Sequence, residues 1–223
     1  MSLSEIFFTQ NELFEKCLLF IILVVGLTIH EWAHAFSADK LGDPLPRAEG
    51  RVTLDPRSHI DLVGTIILPM IMIFFNPGFA VFGWGKPVRV SLSKKENQTR
   101  DDILITLAGP FSNLCIALLA TFLFGALHNI QDLNEAMLKL FFIIININCI
   151  LFLFNMIPVP PLDGSHILKR AVKMSEITFA KFSGFGIIII LLLVNIDSFM
   201  DFFTGLLSQL TYYFFSLFEL LSE

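Results

Sequence analysis

The sequence predicts an all-α polytopic membrane protein: a bundle of about five to six transmembrane segments, with a re-entrant or hairpin segment and a small β element at the cytoplasmic side. Of its 223 residues, 55% are hydrophobic and 25 are phenylalanine. With a mean hydropathy of +0.73, this composition differs from that of a soluble globular domain. Apolar runs long enough to cross a bilayer alternate with short polar connections. The net charge of −5 gives no support for nucleic acid as a partner.

The whole chain, 1–223, is predicted to form a single integral membrane domain. Its first core span covers about 17–38 and leaves the membrane at Lys40 and Gly42. The following connection contains several prolines and arginines, which favours an irregular segment on the cytoplasmic side. Within it, Arg51-Val52-Thr53-Leu54 has the composition of a strand.

The next apolar segment, 62–84, is interrupted by Pro69, Pro77 and several glycines. Prolines remove a backbone donor, so one straight spanning helix is not favoured. Basic residues flank the segment on both sides, which predicts a re-entrant hairpin with both ends cytoplasmic. After it, residues 87–92 alternate apolar and polar side chains and are expected to pair with the strand near Val52.

Two further core spans follow, at about 103–127 and 138–172, the second broken by Pro158, Pro160 and Pro161. Accessory apolar segments cover 184–196 and 202–221. The distribution of lysine and arginine predicts a multi-pass protein of the cell membrane with an external N-terminus.

The first span carries the sequence His30-Glu31-Trp32-Ala33-His34. Two histidines four residues apart on a helix lie on one face, so both imidazoles can bind one metal ion. Glu31 is then placed beside the metal, where a carboxylate can accept a proton from a metal-bound water. Ionisable side chains inside an apolar segment are costly, which itself indicates a functional site.

A catalytic zinc site commonly uses three protein ligands, so a third ligand is required. Asp163 follows the proline-rich break at the same predicted face of the membrane as the two histidines. On local sequence it is equally well explained as the N-cap of the next helix. His59 and His166 are weaker candidates for this ligand, because histidines near a membrane surface are usually solvated or hydrogen-bonded.

Three segments together resemble the site-2 protease family of intramembrane zinc metalloproteases (peptidase M50-like). They are His30-Glu31-Trp32-Ala33-His34, Ala108-Gly109-Pro110-Phe111-Ser112-Asn113 and Asn155-Met156-Ile157-Pro158-Val159-Pro160-Pro161-Leu162-Asp163-Gly164. In addition, Gly83-Trp84-Gly85-Lys86-Pro87-Val88 is similar to the compact branch of the family, which lacks PDZ and CBS domains.

The resemblance implies one zinc ion per chain, bound by His30, His34 and Asp163, with Glu31 as the catalytic base. It also implies that Asn155 and Asn113 contact the substrate or the transition state. For Asn113, a hydrogen bond between helices is an equally good explanation.

The function expected from the residues and the resemblance is hydrolysis of peptide bonds in or near transmembrane segments of membrane proteins, in regulated intramembrane proteolysis. A helical substrate hides its carbonyl groups in its own hydrogen bonds, so it must unwind before cleavage. The strand containing Val52 and Thr53 is expected to hold the unwound substrate by β-augmentation. The sequence makes no prediction of the particular substrate or of the oligomeric state.

Two other classes of protein are compatible with the zinc-binding sequence. A different membrane-bound protease of this type would take its third ligand from a glutamate, but Glu49, Glu96, Glu135 and Glu176 are poorly placed for that role. A non-catalytic metal-binding or transport protein is the other alternative. Glu31 argues against it, because metal binding alone needs no base at that position.

Overall fold

The computed structural model describes residues 12–75, 83–91, 98–130 and 133–222, and in these ranges the chain is helical and contains no strand. The helices are α1 (Glu12–Lys40), α2 (Leu45–Ala48), α3 (Leu68–Phe75), α4 (Gln98–His128), α5 (Glu135–Asn155), α6 (Gly164–Ala171), α7 (Glu176–Leu193) and α8 (Asp197–Ser222). A 3₁₀ turn at Pro56–Ser58 and a π-helical turn at Leu62–Ile67 precede α3.

Helices α1, α4 and α5 pack against one another and form the centre of the bundle. Helices α1 and α5 run in the same direction, because an ion pair joins Glu15 and Lys139 near their starts while Gly26 meets Leu151 further along both helices. Helix α4 runs in the opposite direction, so its first half lies beside the last half of α1. This arrangement brings the late part of α1, the early part of α4 and the end of α5 to one end of the bundle.

Apolar side chains hold these three helices together. One buried cluster joins α1 to α5 through Ile22, Leu23, Leu27, Ile143, Ile147 and Leu151. A second cluster joins α4, α5 and α8 through Ala117, Ala120, Phe124, Phe141, Ile145, Cys149 and Leu207. Burial of apolar surface at about 25 cal/mol per Å² stabilises such contacts, and close packing fixes the helix positions.

Within the described ranges, four helices are long and apolar enough to cross a membrane: α1, α4, α5 and α7. They correspond to the spans predicted at 17–38, 103–127, within 138–172, and at 184–196. Helix α8 corresponds to the predicted segment 202–221 but is not one of these four. The prediction of an all-helical multi-pass membrane protein is therefore confirmed.

The segment predicted at 62–84 is described only in part, since residues 76–82 lie outside the described ranges. Its described part consists of the π-helical turn and α3, and α3 ends at Phe75. Asp61 caps the turn by accepting hydrogen bonds from the backbone N–H groups of Val63 and Gly64.

The predicted β element is not confirmed, because neither residues 51–54 nor residues 83–91 form a strand. The two segments do approach each other, but a side chain joins them: the Arg51 guanidinium donates to the Lys86 carbonyl oxygen. The Lys86 N–H donates to the His59 carbonyl at 2.8 Å. These contacts occupy the backbone groups of Lys86 without forming a ladder between the segments. Leu92, the end of the second predicted strand, lies outside the described residues.

Candidate active site

The two histidines of α1 face the early part of α4, and each is held through its Nδ1 atom. The His34 Nδ1–H donates to the Ile105 carbonyl at 2.7 Å. The His30 Nδ1–H donates to the Asn113 side-chain oxygen at 2.8 Å. Since a carbonyl oxygen can only accept, His34 carries its hydrogen on Nδ1, and the Asn113 oxygen requires the same of His30. In the neutral form, both Nε2 atoms therefore present a lone pair.

Asp163 completes a cluster with these two histidines. It directly precedes α6, yet its side chain makes no capping hydrogen bond. Its Oδ2 atom lies 3.0 Å from His30 Nε2 and 3.3 Å from His34 Nε2. The carboxylate of Asp163 thus faces the Nε2 atoms of both rings.

The cluster fits a zinc ion. The two Nε2 atoms are 3.1 Å apart, and Asp163 Oδ2 has no hydrogen-bond partner although it is buried. Three acceptor atoms that face one another without a donor repel each other, and a cation between them removes that cost. Ligands at about 2.0–2.1 Å from a tetrahedral zinc are about 3.3 Å from one another, which matches the observed separations. Among the described residues, this is the one group of three or more metal-ligand side chains that lie together.

Gly109 on α4 leaves room for this cluster. A Cβ atom at position 109 would lie 2.3 Å from His34 Nε2 and 2.7 Å from His30 Nε2. Side chains do not tolerate such contacts, so only glycine allows α4 to pack directly over the two ring nitrogens. The Ala108–Asn113 sequence thus contributes to the metal-ligand cluster in two ways. Gly109 leaves room for the two rings, and Asn113 accepts a hydrogen bond from His30.

Glu31 lies beside the histidines and is buried. Its Oε2 atom is 3.7 Å from a guanidinium nitrogen of Arg51, which is itself only 3% exposed. Gly85 packs against the carboxylate, since a Cβ there would lie 2.4 Å from Glu31 Cγ. Because Arg51 also donates to the Lys86 carbonyl, one guanidinium connects the base to the segment 83–91.

A cavity of about 450 Å³ contains Glu31 and all three cluster residues in its wall. One side of the cavity is formed by the segment 83–91 and another by the turn between α5 and α6. Its wall includes Leu27, His30, Glu31, His34, Trp84, Gly85, Pro87, Val88, Val90, Asn155, Pro161, Leu162 and Asp163.

The residues expected to contact substrate are placed differently from one another. Asn155 lies in the cavity wall, and its amide nitrogen donates to the Leu151 carbonyl at 2.9 Å. Asn113 is fully buried between three helices and contacts His30 instead of the cavity. Val52 and Thr53 are not part of the cavity wall, whereas Val88 is.

The other two histidines weighed as ligands lie outside the metal-ligand group. The His59 Nε2–H donates to the Thr53 carbonyl at 2.7 Å, because a carbonyl oxygen can only accept. The His166 ring packs edge-on against Phe179. Burial lowers the pKa of both imidazoles, so both favour the neutral form.

Sequence reasoning did not identify Arg51, Gly85 and Asn148 as residues of the site. The sequence around Arg51 indicates a strand in a basic loop. Its contact with Glu31 joins residues 20 positions apart, so local sequence does not predict it. Asn148 lies on α5, where its side-chain oxygen accepts a hydrogen bond from Asn113 at 3.0 Å. A polar residue within a long apolar helix was the available signal for Asn148.

Comparison with known proteins identifies the family. Residues 125–195 match the family described as Peptidase family M50. The chain is 34% identical over 190 residues to "Putative zinc metalloprotease YwhC" of Bacillus subtilis (strain 168), an alignment that covers 82% of this chain and 83% of the relative. The chain belongs to peptidase family M50.

A second M50 relative is "Putative zinc metalloprotease Rip2" of Mycobacterium tuberculosis (strain ATCC 25618 / H37Rv), which is 30% identical over 154 residues. That alignment covers 66% of this chain and 54% of the relative. No solved structure matches the chain. Membership of the M50 family makes this protein a membrane-embedded zinc metalloprotease, and it does not favour the non-catalytic alternative.

Proposed function

We propose that the chain, as one protease domain over residues 1–223, hydrolyses peptide bonds in or near transmembrane segments of membrane proteins. The observation that carries this proposal is the cluster of three acceptor atoms from His30, His34 and Asp163, with the Glu31 carboxylate in the same cavity. The cluster lies among helices long enough to cross a bilayer. A peptide bond must therefore be presented to it at the depth of the membrane.

In this proposal, His30, His34 and Asp163 would hold the zinc ion. When bound, zinc supplies a Lewis acid that polarises the peptide carbonyl and makes a water molecule more acidic. Glu31 takes a proton from the attacking water and passes it to the leaving amine. The Arg51 guanidinium, 3.7 Å from Glu31, compensates the charge of that buried carboxylate and keeps it in place.

The hydrogen bonding of a helix determines the form in which a substrate can be cleaved. A helical turn keeps its carbonyl groups in internal hydrogen bonds. We therefore expect the substrate to enter the cavity of about 450 Å³ as an unwound segment of a few residues.

The segment 83–91 is suited to hold this extended substrate. Three of its backbone N–H groups attach it to the rest of the protein: the Trp84 N–H donates to the Gly64 carbonyl, the Lys86 N–H to the His59 carbonyl, and the Ser91 N–H to the Asp43 carboxylate. Other backbone groups of the segment can pair with a substrate strand. Val88 and Asn155, which lie in the cavity wall, then contact the substrate.

For the membrane topology, we propose an external N-terminus and an active site near the cytoplasmic face of the cell membrane. Basic residues concentrate at the end of the bundle where the site lies, as expected for cytoplasmic connections. We further propose that α8 is a fifth span, because it packs alongside α4 and α5, and that the turn at Leu62–Ile67 with α3 forms the first half of a re-entrant hairpin. A small β element arises here only when a substrate pairs with residues 83–91.

The proposal is tested with the purified protein in lipid nanodiscs and a membrane protein substrate that has one transmembrane helix. The substrate is found by comparing the membrane proteomes of cells carrying the wild type and Glu31→Gln. We expect Glu31→Gln to retain one zinc per chain and to lose cleavage by about 10²- to 10⁴-fold, since a general base contributes that much. Glu12→Gln, at the other end of α1, is the matched control and should cleave at the wild-type rate.

Cleavage by Glu31→Gln at the wild-type rate would show that the assigned base is wrong. A wild-type protein that binds zinc but cleaves no membrane protein in either assay would support the metal-binding or transport alternative instead.

A further inference from the structure

Asn148 lies in the middle of α5 and is only 1% exposed. Burying an amide side chain within an apolar bundle is costly unless both ends of the amide are hydrogen-bonded. Both ends are used here: the nitrogen donates to the Ile144 carbonyl at 2.8 Å, and the oxygen accepts from Asn113 Nδ2 at 3.0 Å. Because a carbonyl can only accept, Ile144 fixes which end of Asn148 points towards Asn113.

The Asn113 amide is oriented by the same logic. Its nitrogen donates to the Asn148 oxygen and to the Gly26 carbonyl at 3.2 Å. Its oxygen consequently points to His30 Nδ1 at 2.8 Å. If the amide were reversed, its oxygen would face two acceptors and its nitrogen would face the His30 N–H. Two partners therefore hold Asn113 in the orientation that suits His30.

The orientation of Asn113 determines which nitrogen of His30 is free. An acceptor opposite Nδ1 keeps the hydrogen there and leaves the Nε2 lone pair directed at Asp163 and His34. A donor opposite Nδ1 would favour the other tautomer, in which Nε2 carries the hydrogen and cannot bind a metal.

We infer that Asn148 is a positioning residue for zinc binding, which acts through Asn113 to hold His30 in its metal-binding tautomer. The inference rests on the proposed function and names a residue that touches neither the metal-ligand atoms nor the cavity wall. It also explains why α5 carries this amide at the level where α1, α4 and α5 meet. The three helices are thus connected by one line of hydrogen bonds that ends at the metal site.

A purely structural role for Asn148, joining α4 to α5, predicts a different result. Loss of such a contact would lower the stability of the bundle without changing the affinity of the folded protein for zinc. Zinc affinity is therefore the deciding measurement, with folding checked separately by size-exclusion chromatography and thermal unfolding.

The experiment measures the zinc dissociation constant of the full chain in nanodiscs by competition with a fluorescent chelator. For Asn148→Leu we expect zinc binding to be weaker by about tenfold, since partners of a ligating histidine typically contribute 10- to 100-fold. Asn148→Asp retains an acceptor oxygen and should restore most of the affinity. Asn146→Leu is the matched control, because Asn146 is also buried on α5 but makes no hydrogen bond with the described residues through its side chain.

A double-mutant cycle tests whether Asn148 acts through Asn113. Because both residues belong to one line of contacts, the double variant Asn113→Leu/Asn148→Leu should bind zinc no more weakly than Asn113→Leu alone. If Asn148→Leu does not fold, Asn148→Ser replaces it: the serine hydroxyl can satisfy the Ile144 carbonyl but is too short to reach Asn113.

Unchanged zinc affinity in a folded Asn148→Leu or Asn148→Ser variant would overturn the inference. Additive losses in the double variant would overturn it as well, since they would mean that Asn148 acts independently of Asn113. These outcomes differ from a failure of the proposed function, which would appear in the wild type itself as a lack of zinc binding or of cleavage.

Discussion

The exchange of Gly109 for alanine tests the packing of α4 over the metal ligands with one methyl group. The new Cβ would lie 2.3 Å from His34 Nε2 and 2.7 Å from His30 Nε2. Ordinary contact begins at 3.4 Å, so the two rings would have to retreat by about 1.1 Å and 0.7 Å.

Neither ring has an easy way to retreat. His34 is held by the Ile105 carbonyl at 2.7 Å and His30 by Asn113 at 2.8 Å. Zinc–ligand distances tolerate only about ±0.2 Å, which is several times less than the required movement. Misplacement of a catalytic group by about 1 Å can cost about 10²-fold in rate. We therefore expect Gly109→Ala to lower zinc affinity and cleavage by at least that factor.

Zinc content is measured by mass spectrometry after purification, and cleavage is measured with the substrate identified by the comparison of membrane proteomes. Gly205→Ala is the matched control, because a Cβ at position 205 meets nothing within 4 Å. It should retain zinc and activity. A Gly109→Ala protein that keeps one zinc per chain and cleaves within about twofold of the wild-type rate would refute the assigned metal site, since a 1 Å displacement should cost far more.

Three further variants separate the base and the substrate edge from the metal ligands. Gly85→Ala places a Cβ 2.7 Å from Glu31 Oε1. It should therefore reduce kcat by about 10-fold or more, while the zinc content stays at one per chain. Loss of zinc from this variant would mean that residue 85 acts on the metal ligands instead of on Glu31. Val88→Pro removes the backbone N–H of a residue in the cavity wall and should raise KM by about tenfold, the effect of one lost hydrogen bond to the substrate. Val52→Pro should have a smaller effect, and a larger one would locate the substrate edge at residues 51–54.

The helices and two of the ligands could be predicted because their signals are local. An apolar run of about 20 residues is enough by itself to predict a membrane-spanning helix. The geometry of a single helix is enough to predict that His30 and His34 lie on one face. Asp163 was ambiguous on local sequence, because the same residue can cap a helix. The absence of a capping hydrogen bond and the distance of 3.0 Å to His30 Nε2 are facts of the tertiary structure.

The remaining parts of the site depend on how separate segments meet. The sequence around Gly109 does not show that a Cβ at this position would lie 2.3 and 2.7 Å from two imidazole nitrogens. The alternation at residues 87–92 predicts a strand, but a strand also requires a partner ladder, and the described residues 87–91 form none. In the folded chain, Arg51 satisfies the Lys86 carbonyl with its side chain, so residues 51–54 do not supply that ladder.

The ion pair of Glu15 and Lys139 marks one end of α1, and His30 lies 15 positions further along, or about 22 Å at 1.5 Å per residue. In the proposed orientation, across a hydrocarbon core of about 30 Å, the metal ligands lie in the half of the bilayer nearer the loops. We therefore expect zinc to reach the site from the loop side, so that activity follows the free zinc concentration of that compartment.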